Sequence, residues 1–198
     1  MNKLYQAAIA AFDKANSEDP NKEVSSGNEL PKELLYAHRM TEMQERYAPE
    51  ATEAVKLAVR AQHIQRWKIP RSNYPMDKPG YILWRTTLYK FHAETAGDLM
   101  KQAGYGDEII ARVKTIVSKK DIKNNPETQM MEDIVDLVFL EHYMLGFAGQ
   151  HADYDEAKWI VIIKKTWNKM SQRAHEFALA GKIVLPEALV PLILKAVQ

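Results

Sequence analysis

Apolar residues recur at helical spacing along almost the whole chain, and strand-like alternation is nearly absent apart from the short run Trp159 to Ile163 inside a longer helical segment. That periodicity favours helices that bury one face against one another, so the sequence predicts an all-α fold, a single compact multi-helix bundle. Leu4, Ala8 and Phe12 mark a first helix, which ends before the polar stretch Asn16 to Asn28, where Asp19-Pro20 and Gly27 signal turns. Pro31 suits a first helical position and opens a helix to about Tyr47. Glu50 to Trp67 follows, and the segment Lys68 to Gly80, with three prolines, is irregular. Tyr81 to Ala103 is a long helix ended by Gly104, and Asp107 to Lys119 a shorter one. Pro126 opens the most apolar helix, to about Phe147; Tyr154 to Leu179 and Pro186 to Val197 complete the set. With no internal repeat and no linker long enough to divide it, residues 1–198 read as one helical domain.

The charges nearly cancel, 27 Lys+Arg against 26 Asp+Glu, which argues against a general nucleic-acid coat and makes any basic site local. Apolar residues at 46% suffice for a core, and charged residues at 27% for a soluble surface. The absence of Cys removes disulfide scaffolds, thiolate zinc sites and a cysteine nucleophile, leaving His, Asp and Glu as the strong metal ligands. Met1 to Lys14 reads as a helix rather than a secretory signal, and no apolar run is long enough for a membrane span. A soluble cytoplasmic protein without a membrane partner is expected.

Three groups of residues point to chemistry. The helix from Pro126 carries Glu132, Asp133 and Asp136 among apolar residues that lie nearly all round it, so some of these carboxylates face the interior and need a cation or donor. They are either a metal or catalytic site or one half of a set of salt bridges to arginines at the core edge. His63 lies between Val59 and Trp67, and His92 between Leu88 and Ala96, both in apolar company. Each reads as a hydrogen-bonded core histidine or, together with a buried carboxylate on a third helix, as a ligand of a divalent metal such as manganese, iron or zinc. Arg66 and Arg71 sit on a proline-stiffened stretch followed by Trp84-Arg85, and their planar guanidinium groups suit phosphate or carboxylate recognition.

These residues also carry a family resemblance. Phe12-Asp13-Lys14-Ala15-Asn16 with Glu18-Asp19-Pro20, Arg39-Met40-Thr41, Gln62-His63-Ile64-Gln65-Arg66-Trp67 with Ile69-Pro70-Arg71, Gly80-Tyr81 with Trp84-Arg85, His92-Ala93, Gln129 with Glu132-Asp133, and Lys169-Met170-Ser171 resemble an uncharacterised family, domain of unknown function four-two-zero-two. More distantly the chain is similar to the HD phosphohydrolases, helical proteins in which histidines and aspartates on successive helices hold a metal that activates water. That resemblance implies His63, His92 and Asp133 as metal ligands, with Ala93 in place of the paired aspartate. With Glu132 beside it to compensate for the missing aspartate, Asp133 and Glu132 are the expected catalytic carboxylates, and the arginines read above, Arg66, Arg71 and Arg85, the expected substrate-binding cations.

The function expected is metal-dependent hydrolysis of a small phosphorylated or other anionic substrate. The alternative is a non-catalytic helical module that binds a small anion, RNA or a protein partner. Lys169-Met170-Ser171-Gln172-Arg173 resembles the lysine-methionine-serine signature of class I glutamyl-tRNA synthetases. That signature works on a loop beside a parallel nucleotide-binding sheet, whereas here it is expected inside the Tyr154 to Leu179 helix, so synthetase activity is not expected.

Overall fold

The computed structural model describes residues 2–25, 27–151 and 153–197. Its regular structure is helical apart from one two-stranded ribbon, so the protein is all-α. Its contacts gather into two compact units, Met1–Met131 and Glu132–Gln198. Among the described residues no helix is long and apolar enough to cross a membrane.

In the first unit α1 (Lys3–Ser17) begins at Asn2, whose side chain accepts the Leu4 amide at 3.1 Å. An antiparallel ribbon, β1 (Lys22–Ser25) and β2 (Asn28–Pro31), feeds α2 (Lys32–Tyr47). Gly27 supplies the ribbon's turn with φ 79°, a conformation a side chain disfavours. There follow α3 (Glu53–Ala61), α4 (Lys78–Gln102), α5 (Asp107–Val117) and α6 (Pro126–Val138), within which the division into units falls. α5 packs on α3 and α4, and α1 on α2, α3 and α4. Phe12, Met40, Met43, Leu57, Met100 and Ile116 are fully buried there, each contributing about 1.5–3 kcal/mol by leaving water.

In the second unit α6 continues through a π-helical turn, Phe139–Tyr143, into α7 (Met144–Gln150). α8 (Glu156–Trp167), capped by Asp155, packs against α10 (Val190–Val197). α9 (Gln172–Leu179) is capped by Ser171. Ile134, Leu137, Leu140, Met144 and Ile163 are buried in this unit.

Four local expectations change. The ribbon occupies part of the polar stretch, and Val24 on it is 66% exposed. Backbone pairing and an Arg39 to Glu23 ion pair hold it, so it lacks the apolar alternation that marks a strand in sequence. Pro31 stands one residue before α2, not at its first position. The expected helix through Trp67 stops at Ala61, and the expected Tyr154 to Leu179 helix breaks at 168–171, so Lys169-Met170 lies in a turn and not inside a helix. In both breaks, backbone groups are drawn into tertiary hydrogen bonds described below.

Gly80 places the start of α4 against the preceding proline turn. A Cβ there would collide with the Pro75 carbonyl oxygen, while the Gly80 amide donates to Asp77 Oδ1 at 2.7 Å. Gly80→Ala must displace backbone, and we expect it to cost about 1–3 kcal/mol in urea unfolding. An unchanged midpoint would contradict this contact.

Candidate functional site

The site in the first unit is built from the segment after α1. Asn16 and Asp19 are each 1% exposed, which for polar side chains demands partners. Asp19 accepts the backbone amides of Asn21 at 2.9 Å and of Glu33 at 3.0 Å. Asn16 donates to the Glu33 carbonyl at 3.4 Å and accepts the Gln65 amide at 2.9 Å. Gln65 takes the left-handed conformation, φ 51°, and this bond offsets a cost of about 1–2 kcal/mol for a residue with a Cβ. The same bond turns the chain out of helix after α3. Two buried polar residues thus tie the first turn of α2 to the turn that carries His63.

Three titratable side chains meet at that junction. The His63 ring stacks on Tyr36, centroids 4.1 Å apart and 14° between planes, and its Nδ1 lies 3.4 Å from Glu33 Oε2. The His92 ring on α4 is 5.9 Å from that of His63. His92 Nδ1 is 2.8 Å from the Ile64 carbonyl oxygen. A carbonyl oxygen only accepts, so Nδ1 carries the proton and Nε2 presents its lone pair. That Nε2 is buried with no hydrogen-bond partner among the described residues.

Burial sets the protonation of all three. It pushes the Glu33 carboxyl up to about 7 against the pull of Arg66. It pushes His92 down to about 3, with His63 adding to the effect. Burial, then the charges of Arg66, Lys119, Arg85 and Lys32, hold His63 well below the ordinary imidazole range. The junction therefore has two neutral imidazoles and one carboxyl poised to gain or lose a proton near neutral pH.

Cations and aromatic rings alternate beside it. The Arg66 guanidinium lies 5.1 Å from the Trp84 ring, and its Nη1 is 3.9 Å from Glu33 Oε1. Arg71 is 6.0 Å from both Trp84 and Tyr81, and donates to the carbonyls of Tyr74 at 3.0 Å and Asp77 at 3.3 Å. Arg85 is 5.8 Å from Tyr81 and 5.4 Å from Tyr89, and donates to the Tyr89 hydroxyl. Lys119 is 5.9 Å from Tyr89. Trp84 is pinned by its indole N–H, which donates to the Ile69 carbonyl at 2.9 Å. Such an array holds guanidinium groups in fixed orientation, here with a carboxylate partner at Arg66 and none at Arg71 or Arg85 among the described residues.

Glu132, Asp133 and Asp136 belong to the second unit and are all buried. Lys169 Nζ bridges Glu132 at 3.0 Å and Asp136 at 2.6 Å. Although burial opposes its charge, Asp136 and Glu132 hold Lys169 above the ordinary amine range. Asp133 accepts the Ser171 amide at 2.7 Å and the Ser171 hydroxyl at 2.6 Å. These bonds draw 169–171 out of helix and fix the start of α9.

The structure thus brings His63, His92, Arg66 and Arg85 around one junction, with Arg71 in the adjoining array, and gathers Glu132 and Asp133 around Lys169 and Ser171. Within neither unit, among the described residues, are three or more His, Asp or Glu side chains grouped to hold a metal ion. The sequence reading missed Glu33. The signal was there: Glu33 precedes Tyr36, Ala37 and Met40 by three, four and seven positions, which puts a carboxylate on the buried stripe of α2.

The sequence profile of the family described as "Domain of unknown function (DUF4202)" matches residues 6–193, nearly the whole chain and parts of both units. No curated protein and no solved structure matches the chain. With the match extending so far, the chain belongs to the DUF4202 family.

Proposed function

We propose that this protein is a hydrolase acting on a small phosphorylated or otherwise anionic substrate, with Glu33 as the group that moves the proton. The observation that carries this reading is a carboxyl pushed up to about 7 beside two neutral imidazoles and under the guanidinium of Arg66. A group that titrates near the working pH is suited to accept and return protons. In hydrolysis of a phosphomonoester, water oxygen bonds to phosphorus while the bond to the leaving oxygen breaks. Glu33 takes the proton of the attacking water and returns it to the leaving oxygen. Arg66, Arg71 and Arg85 offset the charge on the phosphoryl oxygens, and the His92 Nε2 lone pair accepts a hydrogen bond that orients water.

The test is phosphate release from a panel of phosphoesters, with chelator in one arm and manganese, iron or zinc in the other. His63→Phe keeps a ring to stack on Tyr36 and removes the nitrogen that stands 3.4 Å from Glu33 Oε2 and positions that carboxyl. We expect it to slow release by about 10²-fold or more. Turnover that requires an added ion would assign His63 and His92 the ligand role the sequence suggests. No release from any ester in either arm, by folded protein, would sink the hydrolase reading.

A second reading, an anion-binding module without turnover, is favoured by one observation: the buried carboxylates Glu132, Asp133 and Asp136 engage Lys169 and Ser171. Calorimetry that finds anion binding in chelator with no product formed would select it.

A further inference from the structure

Arg66, Trp84, Arg71, Tyr81, Arg85, Tyr89 and Lys119 form a ladder in which each cation lies within 6.0 Å of the next ring. Its three rings span Tyr81 to Tyr89 on α4, about 12 Å of helix axis at 1.5 Å per residue. One phosphate group is satisfied by two or three donors and is much shorter than this row. Among the described residues Arg71 and Arg85 form no ion pair; Arg71 donates to the Tyr74 and Asp77 carbonyls and Arg85 to the Tyr89 hydroxyl, none of which carries a formal charge. Several negative charges in line would meet both arginines, and a single one would not.

Beyond Tyr89 the row opens into a groove of about 690 Å³ between α4 and α5. Lys90, Lys114 and Lys120 line it together with the hydroxyl-bearing Thr86, Thr115 and Ser118. Lys114 is paired with Glu94 at 2.5 Å. The three hydroxyls donate to helix carbonyls and Asp107 also lines the groove, so what it adds at the far end of the ladder is the cations of Lys90 and Lys120.

We propose that the ladder and this groove bind a ligand carrying two or more phosphate groups in line, rather than a single-phosphate ester. The inference deepens the hydrolase reading by naming the class of substrate. It rests on that reading only for which phosphate reacts, and binding is measured independently of turnover.

Titration calorimetry on the full chain, wild type and Glu33→Gln, uses orthophosphate, pyrophosphate and tripolyphosphate as probes. We expect affinity to rise about tenfold with each added phosphate, because each brings at least one more charge-assisted hydrogen bond. Arg71→Gln and Arg85→Gln should each bring tripolyphosphate back towards orthophosphate by about tenfold or more. Lys164→Ala, on an exposed lysine of α8 in the second unit, should leave the series unchanged. Arg71 stands on the 71–73 turn before α4, outside the long helices, so its variant keeps the test open if Arg85→Gln fails to fold. Equal affinity for all three probes would overturn the proposal, and so would a gradient that survives both arginine variants. Tight, salt-sensitive RNA binding that tripolyphosphate does not compete with would overturn it in favour of a nucleic-acid surface. If the gradient is found but no ester is hydrolysed, the binding inference stands and the hydrolase reading falls.

Discussion

A Glu33→Gln variant is expected to lose phosphate release by about 10²–10⁴-fold and yet to become harder to unfold above neutral pH. The Glu33 carboxyl ionises near 4.5 in an unfolded chain and at about 7 in the folded one. Between those values the folded state binds more protons than the unfolded state, so this group's contribution to stability falls as pH rises. Above pH 7 the whole penalty is present, about 3 kcal/mol for a shift of this size. Glutamine never ionises and escapes it. The variant should match wild type near pH 4.5 and gain up to about 3 kcal/mol near pH 8. His92 works in the opposite direction: held down to about 3, it stays neutral in the folded chain while the unfolded chain protonates below 6.5. Its contribution is lost as pH falls through that range, where Glu33 is largely protonated and so close to glutamine in charge, and it therefore largely cancels from the difference. Urea midpoints at several pH values, read beside the rates, check both halves. A stability difference that is flat with pH would show that Glu33 is not the buried carboxyl described here.

The second large effect is expected at Lys169. Removing its ammonium leaves Glu132 and Asp136, each with a side chain only 4% exposed, without the cation that bridges them. Breaking a fully buried pair costs about 3–5 kcal/mol. Lys169 itself is 46% exposed, so solvent screening lowers the expected cost of Lys169→Met to about 2–3 kcal/mol. Lys169→Arg, which keeps the charge, should recover most of it. Urea unfolding measures both. Wild-type stability in Lys169→Met would mean that this lysine is not structural, and would reopen the signature of which Lys169-Met170-Ser171 is reminiscent. That signature has no parallel sheet to serve among the described residues, where the only sheet is the antiparallel ribbon.

What the sequence discloses and what it hides follow from the range of the interactions involved. The all-α class, the extent of α2 and the end of α4 are legible because apolar spacing and prolines act within a few residues, whereas α4 begins at Lys78, inside the stretch expected to be irregular, with Pro79 in its first turn. The breaks at 62–65 and 168–171 are not legible. They depend on Asn16 reaching Gln65 and on Asp133 reaching Ser171, partners 49 and 38 residues away. His63 and His92 are readable as buried histidines, but their tautomers and Glu33's displaced titration depend on which carbonyl and which rings close over them. The carboxylates at 132, 133 and 136 are readable as needing a neutralising partner. That it is Lys169 rather than an arginine is a fact of the fold.

The π-helical turn at Phe139–Tyr143 has a further consequence, for how this chain tolerates changes of length. A π turn fits one residue more than an α turn into the same helical path. Deleting one residue there would leave a regular α-helix, the kind of local change a sequence comparison would score as harmless. The helix downstream would keep its place, because the residue removed is the one the wider turn accommodates. Met144, now fully buried, would stay in its place, and Leu145, now 53% exposed, would stay outside. This stretch should therefore accept the loss of one residue, whereas the same deletion in a regular α-helix would turn everything beyond it by about 100°.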